Sequence, residues 1–174
     1  MSTLLDQPRE ERALFNPAFV ALLLNKAAKG HASVADKPLP VPIAYLVVPL
    51  ALHAPTREAL PDSTVSVMPA WVQTQPALLM ELPKRVRALR PLVSAATTFG
   101  LRHGLLRPEQ SGLQAGALRR DRQSFSITGA STPRPGLPAT EDAAACFNQA
   151  AFLGRWFAKQ PDPLTALAHW GLRP

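Results

Sequence analysis

Nineteen of the 174 residues are proline, against a usual share of about 5%. Proline lacks a backbone N–H and fixes φ. It is therefore tolerated in the first turn of a helix and disruptive inside one. The prolines are spread along the chain rather than gathered into a polyproline run, so they read as punctuation between short helices. Hydrophobic residues make up 47% and charged residues 18%, a globular and not a disordered balance. The length suits one domain with a proper core and falls short of two. The expectation is a mainly α single domain over residues 1–174.

Its centre is expected between Pro61 and Gly116, where the chain reads as a winged helix-turn-helix with a small β-hairpin wing. Ser63 or Thr64 begins a first helix that runs through Trp71 to about Thr74. Gln75-Pro76 opens a second, which Pro83 breaks or kinks. Arg90-Pro91 restarts the chain as a third, which would be the recognition helix if the chain were a DNA reader. Leu92, Ala96 and Phe99 share its inner face, while Ser94, Thr97, Thr98 and Arg102 look outward. Gly104 closes this helix in the left-handed conformation. LLRP-EQSG-LQAG then has the form of a hairpin. Winged helices bind DNA in some proteins and only other proteins in many more, so the motif does not name a function.

Helices pack this centre from both sides. After a leader over residues 1–13, Asn16 caps and Pro17 opens a helix with Leu22 and Leu23 on its buried side, which Gly30 stops. Ile43 to Leu52 is the most apolar segment and the central core helix, with Pro49 kinking or ending it. His53 to Pro61 forms a capped turn. Residues 117–140 lose periodicity and read as a flexible surface connection. In the C-terminal part, 141–174, Thr140 caps a strong helix from Glu141 to Lys159, and a short helix follows Pro163. The apolar run before His53 is too short to span a bilayer. No apolar signal core stands at the N-terminus, so the expected location is cytoplasmic, with no membrane contact.

Candidate chemistry is sparse. His31, His53, His103 and His169 lie in different segments with no metal-ligand spacing. The one cysteine, Cys146, lies among apolar residues as a buried thiol. There is no phosphate-binding glycine loop and no nucleophile elbow. The reading is a chain with no metal, no cofactor and no enzyme activity. Net charge is +7, from 19 Lys and Arg against 12 Asp and Glu, which suits an acidic partner. Lys84, Arg85, Arg87, Arg90 and Arg102 are the candidate nucleic-acid contacts, the alternatives being a solvated helix face or a basic docking face for an acidic protein. A second basic cluster is Arg119, Arg120 and Arg122. The aromatic stretch FLGRWFAK reads first as core, yet the helix from Glu141 is apolar on two sides and needs two surfaces to cover it, so a second subunit is the other expected cover. Phe152, Arg155, Trp156 and Phe157 are the candidate partner-binding residues.

Four stretches carry a family likeness. NPAFVALLLNKAAKGH, PIAYLVVPLALHAPTREALP, LVSAATTFGLRHGLLRPEQSGLQAG and FLGRWFAKQPDPLTALAHWGLRP, in that order over nearly the whole chain, resemble the middle components of three-component ABC systems. The most specific pieces run from Leu52 to Pro61 and from Phe152 to Phe157. Residues 117–140 depart from the likeness, with local variation at Pro83 and at Ala54-Pro55. The resemblance implies a small non-catalytic adaptor subunit, encoded between an SMC- or Rad50-like ABC ATPase and an effector, often a nuclease. It implies a conflict system against phages and plasmids, related to Lamassu-type defence, with DNA reached through the complex. The rival from another class is a DNA-binding winged-helix transcriptional regulator.

Overall fold

Asn16 accepts a hydrogen bond from Ala18 N (2.8 Å) and Pro17 takes the first helical position, so the chain enters α1 (Pro17–Ala35) as its sequence demands. The computed structural model describes residues 16–110, 112–118 and 141–172. Six further helices follow among the described residues: α2 (Val41–Leu52), α3 (Ala54–Ala59), α4 (Met68–Gln73), α5 (Pro76–Arg102), α6 (Glu141–Phe157) and α7 (Pro163–His169). The described residues between α5 and α6 form an antiparallel hairpin, β1 (Leu106–Glu109) and β2 (Gly112–Ala115), with Leu106 opposite Ala115 and Glu109 opposite Gly112. The described chain is therefore mainly helical, as expected. The leader, most of the 117–140 connection with Arg119, Arg120 and Arg122, and the Thr140 cap lie outside the described residues.

Gly30 does not stop α1. The helix runs five residues further and ends at Asp36, which adopts the left-handed conformation (φ 52°) and donates its N–H to Ala32 O. Gly30 serves packing instead: a Cβ there would overlap the backbone carbonyl of Ala151 on α6. Gly154 of α6 is the counterpart, because a Cβ there would overlap Ala27 O on α1. Two helices meet backbone to backbone at this crossing, and α1 packs against α6 more extensively than any other pair of elements.

Prolines inside helices give the largest departure from expectation. Pro49 lies within α2 and is buried, and the helix continues to Leu52. Pro83 and Pro91 lie within α5, a single helix of 27 residues. The break expected at Arg90-Pro91 is absent, so the second and third helices of the anticipated helix-turn-helix are one. An interior proline costs about 3 kcal/mol. Burial offsets it here: Leu82, Val93, Ala96 and Gly100 of α5 are buried against the core, and burying one large apolar side chain contributes about 1.5–3 kcal/mol. α5 lies across α1 and α2.

The helix expected from Ser63 begins only at Met68. A turn replaces its first part, with Ser66 N donating to Ser63 O (3.3 Å). Lys159 Nζ donates to Thr64 O (2.8 Å) and Trp156 Nε1 to Ser66 O (2.7 Å). Those carbonyls would otherwise accept from the amides of a helix at 64–70.

The hairpin forms as read. Gly104 takes φ 68° directly after α5. Asn25 of α1, fully buried, donates Nδ2 to Leu105 O (2.6 Å) and Gly116 O (3.0 Å), which ties the base of the hairpin to the helix. Leu39 exchanges backbone hydrogen bonds with Leu113 (2.9 and 2.8 Å), so the connection before α2 lies along β2. The hairpin is thus clasped between α1 and residue 39, with Leu106 and Leu113 buried.

Candidate functional site

The aromatic partner-binding candidates of α6 lie inside the chain. Phe152 is 7% exposed, Trp156 1% and Phe157 3%; Arg155 is half-buried. Trp156 stands edge-on to Trp71 of α4 at 5.5 Å and to Trp170 at 6.5 Å, and Phe157 faces Trp170 at 6.2 Å. The expectation of a spare apolar side is therefore corrected: α4 and the segment after α7 cover it. What the Phe152–Phe157 motif encodes is internal. Gly154 permits the close crossing with α1, and the aromatic side chains fill the core on either side of it.

The five basic candidates divide. Lys84, Arg87, Arg90 and Arg102 are exposed. Arg85 turns inward instead. Its Nη2 donates to Leu78 O (3.1 Å) and its Nη1 to Thr56 Oγ1 (3.3 Å). Its Nε is buried without a partner among the described residues. Burial lowers its pKa, against the attraction of Glu81. A guanidinium so placed is a brace and not a phosphate contact.

Arg85 reaches a polar junction built by the Leu52–Pro61 motif, for which the sequence suggested a capped turn and no further role. Thr56 is fully buried, and its Oγ1 also pairs with His53 Nδ1 (2.8 Å). Arg57 donates Nη1 to the carbonyls of Ala51 (3.1 Å) and Leu52 (2.9 Å) at the end of α2. Its Nη2 meets Asp142 at the start of α6 (2.9 Å). One short motif thereby joins α2, α3, α5 and α6. Burial first, then Arg85 and Arg57, hold His53 below the ordinary imidazole range, so the junction carries its positive charge on the guanidiniums. Arg57 in the turn after an apolar helix was the legible signal, since a cation there finds unpaired carbonyls.

Cys146 is buried and its thiol is pushed up by burial, with Arg57 opposing, which disfavours the thiolate a nucleophile needs. His31 donates Nδ1 to Lys37 O (3.0 Å), and burial lowers its pKa. Among the described residues no three His, Cys, Asp or Glu side chains gather as a metal site. No described helix is long and apolar enough to cross a membrane. Two clefts flank the Gln160-Pro161 turn. One of about 460 Å³ is lined by His31, Lys37, Phe157 and Asp162 among others. The second, of about 380 Å³, is lined by Val65, Val67, Trp156 and Lys159 among others.

Compared with known proteins, residues 5–174 match the family described as ABC-three component (ABC-3C) system Middle Component 3. No curated protein and no solved structure matches the chain.

Proposed function

Because the chain belongs to the Middle Component 3 family of ABC-three component systems, we propose that it is a non-catalytic adaptor that joins an SMC- or Rad50-like ABC ATPase to an effector, a nuclease in the form the resemblance implies. It acts in the cytoplasm, in defence against phages and plasmids of the Lamassu kind. The observation that carries this reading is the extent of the family match, which takes in the fold from α1 to the last turn after α7. A buried thiol and two inward-held histidines, His31 and His53, agree with a chain that binds rather than reacts.

Co-expression with the other two components and purification on a single tag test the proposal. The expected outcome is recovery of all three together. Elution of this chain alone and monodisperse at micromolar concentration would remove the adaptor reading. The regulator alternative rests on the exposed cations of α5 and on the hairpin that follows it. It requires tight, sequence-specific DNA binding whose log affinity falls steeply with log salt, which a gel shift across a salt series reads directly.

A further inference from the structure

α5 has a buried side and a free side. Along the free side the exposed positions run from Ala77 to Leu101 in alternating steps of three and four, through Met80, Lys84, Arg87 and Pro91. That is the spacing with which one helix presents a straight strip to another. The strip is about 36 Å long at 1.5 Å per residue. Beside it Ala88 and Ala95 are exposed too; such small side chains let a second backbone come close. Met80, 80% exposed, is the one large apolar side chain in the first half of the strip.

Charge says what kind of helix fits. Lys84 and Arg87 lie on the strip and Arg90 at its edge, and Glu81 is the sole carboxylate of α5. None of these cations has an ion-pair partner among the described residues, where Arg57–Asp142 is the ion pair present. Pro91 has no N–H, so Arg87 O lacks its usual donor on this same side. Nucleic acid fits less well. Met80, Ala88 and Pro91 stand among the cations and donate nothing to phosphate. Even four phosphate contacts, Arg102 included, support a log–log salt slope of only about −3.6.

We propose that the free side of α5 is a docking strip for an acidic α-helix of another component of the system, lying lengthwise with its carboxylates on Lys84, Arg87 and Arg90 and an apolar side chain on Met80. The proposal rests on the adaptor reading and gives it a surface.

The test uses the full chain and the other two components, with the dissociation constant of assembly measured for three forms. These are the wild type, the triple reversal Lys84→Glu/Arg87→Glu/Arg90→Glu, and Ala88→Trp, which blocks close approach without touching charge. Each variant is expected to weaken assembly roughly tenfold or more, with a thermal melt like that of the wild type. Lysine substitutions at acidic positions of the partner helix are expected to restore binding to the reversal and to weaken binding to the wild type. If the wild type assembles and both variants assemble equally well, the strip is not the docking site, and the adaptor reading stands. If the wild type captures neither component, the adaptor reading falls and takes this inference with it. If the reversal leaves assembly intact but abolishes binding to a random-sequence duplex, the cations face nucleic acid and the inference is overturned.

Discussion

The α1–α6 crossing and the free side of α5 are both made with small residues, and they use them in opposite ways. At the crossing, Gly30 and Gly154 admit the facing backbone, and the space is filled. On α5, Ala88 and Ala95 face open solvent. Smallness alone does not say whether a surface is closed. The difference lies in what surrounds it: buried Leu24, Leu153 and Trp156 near the crossing, exposed cations on α5.

Substitution should separate the two regions sharply. Gly154→Val forces a side chain into the backbone of α1 and should cost at least about 3 kcal/mol, seen as lost soluble yield or a collapsed melting temperature. Ala88→Leu, on the open strip, should stay within about 0.5 kcal/mol. Equal effects would erase the distinction. Trp156→Ala should cost about 3–5 kcal/mol in denaturant unfolding, while Met80→Ala should be nearly silent in the isolated chain.

Asn25→Ala strands the Leu105 and Gly116 carbonyls and should cost about 1–3 kcal/mol. Hydrogen exchange should speed up at the hairpin amides ahead of those of α6, and uniform acceleration would show that the hairpin is not separately tied. At the polar junction, Arg57→Ala removes a donor from two carbonyls as well as from Asp142, and should cost more than Asp142→Asn. The latter loses only a pair whose carboxylate is 73% exposed and should fall below about 1 kcal/mol. The order of the two melting temperatures decides this.

The smallest effect is with pH. His31 and His53 have pKa values lowered from 6.5, chiefly by burial, so the unfolded chain takes up protons that the folded chain refuses. The stability they contribute is complete above that value and declines as pH falls below it. A melting temperature that drops modestly from about pH 7.5 to about pH 5.5, and drops less in His53→Gln, is the expected result. A profile unchanged by the substitution would place the titration elsewhere.

The sequence told where helices lie better than where they end. Asn16-Pro17, the core helix before His53 and the turn at Gly104 follow from local chemistry and stand as read. The boundaries at Gly30 and Pro91 do not, because tertiary packing overrides a local penalty of a few kcal/mol; at Pro49 and Pro83, where a kink was the other expectation, the helix does not end. One signal was present: Leu79, Leu82, Val86, Leu89, Val93, Ala96 and Gly100 keep an unbroken three-four spacing across both prolines of α5. A helix restarted at Pro91 would have had no need to stay in phase. The covering of α6 was less readable. Its aromatic side chains are met by Trp71 and Trp170, and periodicity within one segment cannot report partners so far away. The Arg57 junction was legible only in part, since Thr56 and Arg57 are adjacent while Arg85 and Asp142 come from other helices.

Ala27 and Gly154, which touch at the crossing, stand near opposite ends of the chain. During synthesis α1 and α2 leave the ribosome long before the helix that seals them exists. α5 and the hairpin cover part of their greasy sides first, and the part that packs on α6 must wait, exposed, until α6 arrives. A chain cut short before α6 is therefore expected to be insoluble, whatever its remaining part binds.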